Sequence, residues 1–375
     1  MSLTDLLLYS RNPKNYLTIR KQKLGKNFAA LGRIIIGDYE LVYHIIEKLK
    51  QTRSSYISRI HLNNKLFGPT FLLFISNTPK HQNIKNRIST ITNNYSLQDL
   101  NSIIHTFHCS HKHKKTSFDT KTLQFLIIQL VHNAVAQISL THQQLTDFYN
   151  LTFGFQSILY QDSIVPYYLH KLFFSNSFNQ KIHNIYKNSP LFHTLQQDNP
   201  DLTYSIFAHE MYEMLSIAAT TGTFNLLQVC LQQLTLNPEM FAFLQNLHIP
   251  NNDFCNFIIT QNSDYHTILQ FVLESARYNA PVNNINIILD SPLTLTINNI
   301  THTIPQNTLV SANIGLANHD SDKYNNPSQF NIQRDFSDFL GFNGINNPRV
   351  CPGRQLATHI IILFLLHKVK GHSSH

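Results

Sequence analysis

The sequence predicts a mainly α-helical fold with a small β region, formed by a single domain that covers residues 1–375. Residues 117–260 are helical in pattern, because apolar side chains recur at helical spacing over long stretches with few breaking residues. After residue 281 the pattern changes to alternating apolar and polar residues separated by turns, which is typical of strands. The chain has no internal repeat and no evident linker, so one helical domain with a late β region is the simplest interpretation.

The first ninety residues predict one strand and two helices. The segment "RIIIGDYELVYHIIEKL" starts with a β-branched run, turns at Gly37 and Asp38, and continues with the spacing of an amphipathic helix. A second helix is predicted to run to about Ile88, with Thr78 as its N-cap and Pro79 at its first position.

Two apolar helices are predicted on either side of the β region. Residues 207–235 form the longest candidate helix, and "GRQLATHIIILFLLHKV" predicts a last helix over residues 353–369. Between them, residues 285–315 read as strands and residues 319–350 are rich in turn-forming residues.

The composition limits the classes of function. Hydrophobic residues make up 42% of the chain, enough for a large core, whereas charged residues make up only 13%. The net charge of +8 comes from scattered basic residues without a basic face that interleaves aromatic side chains, so we expect no nucleic-acid binding. The same charge suits docking of an acidic electron-transfer protein.

The cysteines and the apolar stretches indicate a soluble, cytoplasmic protein. The four cysteines are far apart and show no CxxC spacing, which argues against a disulfide framework and a structural zinc site. We expect no membrane span, because no stretch reads as long and apolar enough, and the first residues lack the features of a signal peptide.

The strongest chemical signal is "FLGFNGINNPRVCPGRQLA", residues 339–357. Cys351 lies in a loop rich in Gly, Asn and Pro, directly before the last helix, where Pro352 and Gly353 permit a tight turn. Backbone amides and a helix N-terminus stabilise a thiolate, so Cys351 is a candidate metal ligand. The alternative is a buried structural cysteine in front of an apolar helix.

Further motifs follow one another in a fixed order. "LESARYNAPV" places Glu274 and Arg277 three residues apart on one helix face, where they can form an ion pair. The set Glu-x-x-Arg, Ala-Asn-x-Asp, Asn-Pro-x-x-Phe and Cys-Pro-Gly resembles the second half of a cytochrome P450. This resemblance implies the α-rich triangular prism of that superfamily around a buried haem (heme b, iron protoporphyrin IX). Cys351 would be the proximal thiolate ligand of the iron, with Gly353 beside it and Arg349 at a haem propionate.

The resemblance extends to two earlier segments. "NTPKHQNIKNRI" is similar to the family's early helix, so His81 and Lys85 would hold haem propionates, with Arg87 nearby; on its own this spacing would fit a solvated helix face. Glu274 and Arg277 would brace the haem-binding core.

The longest helix would cross the distal face of the haem. In "AATTGTFNLL", Thr221 stands where family members carry an acid and Gly222 where they carry a threonine that delivers protons to bound oxygen. Thr223 follows one residue later, which rotates its hydroxyl by about 100° on a helix. Thr220, Thr221 or Thr223 would then be the groups that hold a water near the oxygen.

Other positions also depart from the family pattern. Gln329 stands where the family commonly has an arginine that completes an ion-pair triad with Glu274 and Arg277. Only 24 residues follow Cys351, whereas relatives continue into a β hairpin that helps to close the substrate pocket. We therefore expect altered chemistry, a more open pocket, or a truncated chain.

A competing metal motif is the segment "HTFHCSHKHKK". It packs His105, His108, Cys109, His111 and His113 closely, and these are metal-capable groups. The spacing matches no ordered zinc module, so a basic polar loop is the preferred interpretation.

Three functions remain open at this point. The first is a monooxygenase that hydroxylates a lipophilic small molecule with dioxygen and electrons from a ferredoxin or flavodoxin-type donor. The second is a peroxygenase or a fatty-acid hydroperoxide-rearranging enzyme similar to allene oxide synthases, which needs no acid–threonine pair and no reductase. Gly222 and the Pro-Lys-His helix entry favour it, and Ala218, where that group carries Asn, does not. The third is a haem-binding protein without turnover.

Overall fold

The structure is a computed structural model of the 375-residue chain. It describes residues 12–30, 33–55, 79–111, 118–159, 177–198, 200, 202–289, 291–297, 300–344 and 350–370. These residues divide into two compact units: unit 1 comprises the described residues up to 88 and within 270–354, and unit 2 comprises the described residues within 89–269 and 355–370. The single domain over 1–375 stays a prediction.

The described residues are mostly helical, with a small β region, as the sequence predicts. The α-helices are α1 Pro13–Leu24, α2 Tyr39–Thr52, α3 Pro79–Asn93, α4 Leu97–Ser110, α5 Thr120–Val131, α6 His142–Leu159, α7 177–186, α8 Leu191–Asp198, α9 Tyr204–Leu236, α10 Pro238–Asn246, α11 Phe254–Thr260, α12 Ser263–Tyr278, α13 Ile314–Ala317 and α14 Arg354–Lys370. The strands are β1 Asn27–Ala30, β2 Arg33–Ile36, β3 Arg53–Ser55, β4 Asn284–Leu289, β5 Leu293–Ile297, β6 Ile300–Ile304 and β7 Leu309–Asn313.

Unit 1 contains all of these strands. Five of them form a sheet in the order β1-β2-β7-β4-β3, in which β2 and β7 are parallel and the other pairs antiparallel. The remaining two, β5 and β6, form a hairpin. Helix α2 covers the sheet with Val42 and Ile45, which are almost fully buried together with Val310 of β7. The predicted strand, turn and helix over residues 33–52 are therefore confirmed, because the β-branched run pairs with β7 and the amphipathic helix buries its apolar face.

Unit 2 is helical. Its longest helix, α9, covers the predicted residues 207–235 and starts slightly earlier, at Tyr204, where the Thr203 side chain caps it. The middle of α9, Met214–Thr221, is wound as a π-helix, and α5 ends in a second π-helical turn at His132–Ala136. The sequence pattern did not predict either π segment, since both retain the apolar spacing of an α-helix.

One premise of the expectation of no membrane span is wrong, namely that no stretch is long and apolar enough. Among the described residues, α9 is long and apolar enough to cross a membrane by length and composition, because an 18-residue stretch of it has a mean hydropathy of 1.4. Of that stretch, 59% is buried inside the protein, as in the core helix of a globular protein.

Candidate functional site

Cys351 lies in unit 1, directly before α14. Its backbone N–H donates to the carbonyl of Phe342 at 2.8 Å, and its own carbonyl accepts from the N–H of Arg354 at 3.3 Å. Phe342 has a φ of 58°, a left-handed conformation that is found in turns. The thiol therefore lies between a tight turn and the first residue of a helix, as the sequence predicts.

The surroundings of the sulfur act on its charge in two directions. Burial raises the pKa of the Cys351 thiol, because the thiolate loses hydration. The Gly353 N–H, which faces the sulfur, and the positive charges of Lys85 and Arg354 act in the opposite direction and stabilise the thiolate. The Arg354 guanidinium also lies over the Phe342 ring, 5.7 Å from its centroid, so its position next to the loop is fixed by packing.

This donor set fits a haem-thiolate centre. A backbone amide and two cations that oppose the effect of burial are what a buried sulfur needs to bind a metal as an anion. A Cβ at Gly353 would meet the Cys351 sulfur at 3.9 Å, an ordinary contact, so the amide rather than the missing side chain is the contribution of this glycine. Sequence reasoning did not identify Arg354; its position at the start of the last helix, three residues after the cysteine, was the available signal.

The other residues assigned to the haem are described only in part. Lys85 of α3 is 8% exposed, and its charge is close enough to act on Cys351. His81 belongs to the same helix, but its side chain lies outside the described residues, as does that of Arg87, and Arg349 lies outside them entirely. The propionate contacts of His81, Lys85 and Arg349 stay predictions.

Glu274 and Arg277 of α12 form the ion pair that the sequence predicts, and both side chains are fully buried. Nε of Arg277 lies 2.6 Å from Oε2 of Glu274, and its NH2 group lies 2.8 Å from Oε1, so the pair is bidentate. The remaining N–H groups of Arg277 donate to the carbonyl oxygens of Asn318, Pro327 and Gln329.

The expectation that this pair lacks its third member is wrong. Nε of Arg334 lies 3.3 Å from Oε1 of Glu274, with the Arg334 side chain 9% exposed. Gln329 contributes its backbone carbonyl, which accepts from Arg277 and Arg334. Arg334 lies only four residues after the Phe330 of the Asn-Pro-x-x-Phe motif, so the signal was present in the sequence.

The distal segment predicted from "AATTGTFNLL" lies in unit 2, where the π-helical part of α9 ends and the α-helix resumes at Gly222. Ala218 is exposed, and none of the described residues has an atom within 4 Å of the point where a Cβ of Gly222 would lie. Ala218 and Gly222 are about one turn apart, so α9 has one open face that carries no polar side-chain atom at either position.

The three threonines of the same segment are buried. The Thr221 hydroxyl donates to the carbonyl of Ser216 at 2.9 Å, a backbone acceptor inside the same helix. Thr220 is fully buried, and its hydroxyl has no hydrogen-bond partner among the described residues; Thr223 is 5% exposed. The structure therefore puts these hydroxyls in the interior of unit 2, whereas Ala218 and Gly222 are on the open side of the helix.

The described part of the histidine-rich segment is the end of a helix, and His113 lies outside the described residues. His105, His108 and Cys109 belong to α4, and the ring of His108 packs against Phe118 and Phe364. Among the residues that the structure describes, no group of three or more His, Cys, Asp or Glu side chains could hold a metal ion. All four cysteines of the chain carry free thiols, as the sequence predicts.

Comparisons with known proteins agree with this site. The family model described as cytochrome P450 matches residues 188–371, which contain both ion-pair partners and Cys351. No curated protein matches the sequence.

Solved cytochrome P450 structures share the fold. P450BioI, determined in complex with an acyl carrier protein ligated to hexadec-9Z-enoic acid, is 17% identical, with a TM-score of 0.71 over 96% of this chain and 92% of that chain. CYP109Q5 from Chondromyces apiculatus is 17% identical, with a TM-score of 0.67 over 96% and 88%. A thermophilic cytochrome P450 from Sulfolobus tokodaii is 17% identical, with a TM-score of 0.63 over 94% and 91%. With the cysteine loop, the buried ion-pair triad and the family match in agreement, residues 188–371 belong to the cytochrome P450 superfamily of haem-thiolate proteins, and the chain has the fold of that superfamily.

Proposed function

We propose that this protein is a monooxygenase that binds heme b through Cys351 and hydroxylates a lipophilic small molecule. The observation that carries the proposal is the setting of the Cys351 sulfur: burial raises the pKa of its thiol, and the Gly353 amide and the charges of Lys85 and Arg354 oppose that effect, as a metal-bound thiolate requires. When bound, the haem would supply oxygen activation at an iron whose thiolate ligand favours O–O bond cleavage. Lys85, His81 and Arg349 would hold its propionates.

The substrate class is proposed as apolar. P450BioI binds a fatty acyl chain on a carrier protein, and we propose that a fatty acid, a fatty acyl group or a terpenoid is the substrate here. The net charge of +8 supports electron delivery by an acidic ferredoxin or flavodoxin-type partner. We also propose a cytoplasmic location, since the apolar stretch of α9 is mostly buried inside the protein.

A second function is favoured by the open face of α9. Ala218 and Gly222 offer neither an acid nor a hydroxyl, and the hydroxyl of Thr221 is bonded to Ser216. A haem-thiolate enzyme that uses a peroxide or a fatty-acid hydroperoxide needs no such proton donors and no reductase. Peroxide-dependent turnover is therefore the alternative. The third possibility, binding without turnover, is weakened because Arg334 completes the ion-pair triad with Glu274 and Arg277.

The first experiment tests the ligand. The protein is produced with a haem precursor, reduced, and treated with carbon monoxide, and a red-shifted Soret band is expected for a thiolate ligand. Cys351→Ala should abolish this band, whereas Cys255→Ala, which removes a buried thiol from unit 2, should leave it in place. A band that survives in Cys351→Ala would refute the proposed ligand.

The second experiment separates the two oxidants. Wild-type holoprotein is offered a fatty acid with a ferredoxin, its reductase and NADPH, and in parallel a fatty acid with hydrogen peroxide and a fatty-acid hydroperoxide alone. Hydroxylated product only in the first arm supports the monooxygenase. Product in the reductase-free arms alone supports the alternative.

A further inference from the structure

Three side chains of unit 2 form a continuous hydrogen-bonded row. The Tyr95 hydroxyl lies 2.5 Å from Nδ1 of His359, and the Tyr265 hydroxyl lies 3.3 Å from Nε2 of the same ring. His359 and Tyr265 are each 4% exposed, and Tyr95 is half-buried. Both ring nitrogens of a buried histidine therefore face phenols, and one of these phenols reaches towards solvent.

The protonation states of the row follow from burial. Loss of hydration lowers the pKa of His359 to about 4 and raises the pKa of both Tyr95 and Tyr265. At neutral pH the imidazole is therefore uncharged and both phenols keep their protons. A neutral imidazole accepts a hydrogen bond at one nitrogen and donates at the other. We assign the acceptor role to Nδ1 because its contact is the shorter one, so that Tyr95 donates to His359 and Nε2–H donates to Tyr265.

Three different elements fix this geometry. Tyr95 lies between α3 and α4, next to Ser96, the N-cap of α4. Tyr265 lies in the first turn of α12, where its backbone N–H donates to the side chain of Asn262 at 2.9 Å. His359 lies in the second turn of α14, the helix that begins three residues after Cys351. The row is therefore part of the packed interior rather than a chance contact of mobile side chains.

We propose that Tyr95 and His359, supported by Tyr265, form a one-electron redox site in which oxidation of Tyr95 is coupled to transfer of its proton to His359. A phenol that loses an electron becomes strongly acidic, so the ease of its oxidation depends on a base already placed at its hydroxyl. Nδ1 of His359 is such a base. Without it, the phenol would lose the acceptor that lies 2.5 Å from its oxygen, and oxidation of the ring would be harder.

The step needs one electron acceptor, the oxidant, and the proton stays within the row. One electron leaves the Tyr95 ring for the oxidant, the Tyr95 O–H bond breaks, and its proton forms an N–H bond at Nδ1. His359 becomes an imidazolium that donates from Nδ1 to the tyrosyl oxygen and from Nε2 to Tyr265. When a reductant returns one electron to Tyr95, the proton moves back to its oxygen.

The oxidant is proposed to be the haem centre after reaction with a peroxide, so this part of the inference rests on the proposed function. The reductant is proposed to be a small electron donor in solution that reaches the half-buried Tyr95. The site would then discharge oxidising equivalents that find no substrate.

The test uses two oxidants on the holoprotein and detects the tyrosyl radical by electron paramagnetic resonance. In the first arm, a photo-excited ruthenium polypyridyl complex with an external electron acceptor withdraws the electron, so haem chemistry is not needed. In the second arm, hydrogen peroxide is mixed with the protein and the sample is frozen rapidly. Tyr95→Phe keeps the ring and removes the proton, and His359→Gln removes the base. Tyr149→Phe is the matched control, because Tyr149 packs against Phe125 and Phe153 instead of a histidine.

We expect a tyrosyl signal in both arms that is lost in Tyr95→Phe, falls severalfold in His359→Gln, and persists in Tyr149→Phe. A signal that survives Tyr95→Phe in the first arm would refute the redox site, as would no signal from wild type. If His359→Gln does not fold, Tyr95→Phe still decides the question. If the thiolate–carbon monoxide band is absent, the proposed function fails, but the first arm still tests this site. If that band is present and peroxide gives no signal, the haem is not the oxidant.

Discussion

Nε of Arg334 lies 3.3 Å from Oε1 of Glu274, although the two residues are 60 positions apart in the chain. The same guanidinium donates to the carbonyl oxygens of Asn325, Asn326 and Gln329. One side chain therefore ties the turn-rich segment before the cysteine loop to the buried carboxylate of α12. Because Glu274 is fully buried, every donor that it loses leaves part of a negative charge without compensation.

Arg334→Ala is expected to lower the free energy of unfolding by about 3 kcal/mol, the low end of the cost of breaking a buried ion pair. Urea denaturation measures this, and the haem content after purification should fall with it. Lys181→Ala is the control, because the Lys181–Asp147 pair has a side chain that is 40% exposed and should contribute less than about 1 kcal/mol. Equal losses in the two variants would mean that Arg334 is not part of the buried triad.

The order of elements could be predicted from the sequence because each depends on local patterns. The β-branched run at residues 33–36 and the apolar spacing of α9 and α14 place a strand and two helices correctly. The cysteine loop was also predictable, since Pro352 and Gly353 mark the turn before the last helix. The ion pair of Glu274 and Arg277 needed only the helical spacing of three residues.

Features that depend on long-range packing could not be predicted. The π-wound segment Met214–Thr221 keeps an α-helical pattern in the sequence, so the burial of Thr220 became visible only in the structure. The role of Arg334 depends on the path of an irregular segment. In the hydrogen-bonded row, Tyr95 is 264 positions away from His359 in the chain, and Tyr265 is 94 positions away from it. No local sequence pattern encodes such separations.

His132 makes stability depend on pH. It is fully buried, its Nδ1 hydrogen donates to the carbonyl of Ile128 at 2.7 Å, and Nε2 accepts from the Tyr186 hydroxyl at 3.2 Å. Burial lowers the pKa of His132 to about 4 from its usual 6.5. The unfolded state therefore binds a proton that the folded state does not, and stability should fall as the pH decreases from about 6.5 to about 4.

The contribution of His132 is expected to be about 1.4 kcal/mol per pH unit within that window. His132→Gln should reduce the slope by that amount, measured as the free energy of unfolding in urea between pH 7 and pH 5. Tyr186→Phe should lower stability by about 1 kcal/mol at every pH and keep the slope, since it removes a hydrogen bond and leaves the histidine buried. An unchanged slope in His132→Gln would contradict the assignment.

Asp320 and Asp322 provide a matched test of a buried and an exposed ion pair on one cation. Nζ of Lys26 lies 2.5 Å from Asp320 and 2.6 Å from Asp322, but the Asp320 side chain is 1% exposed and that of Asp322 is 74% exposed. Oδ2 of Asp320 also accepts from the backbone N–H of Tyr39 at the start of α2. We expect Asp320→Asn to lower the free energy of unfolding by about 3 kcal/mol and Asp322→Asn by less than about 1 kcal/mol.

The same carboxylate has a defined pH signature. Burial alone would raise the pKa of Asp320, but the Lys26 ammonium and the N–H groups of Tyr39 and Asp322 lower it overall. The folded pKa is therefore below the unfolded pKa, so the contribution of Asp320 is present above about pH 4 and is lost as the pH falls further. Acid unfolding of Asp320→Asn should accordingly be less steep below pH 4, and an identical acid transition in the two proteins would count against this role.

Gly222 is the position where a proton donor can be added to the open face of α9. The space around its missing Cβ is free of described atoms to 4 Å, so Gly222→Thr should be accepted without displacing a neighbour. If dioxygen is the oxidant, the added hydroxyl should raise the product formed per NADPH consumed by roughly tenfold. This gain is smaller than the rate increase of about a hundredfold or more that a fully positioned general acid gives.

Gly222→Val is the control, because it has nearly the same shape without the hydroxyl and should not give this increase. Under peroxide, which brings its own protons, both variants should behave alike. A gain in Gly222→Val equal to that in Gly222→Thr would mean that side-chain volume rather than proton supply limits the reaction.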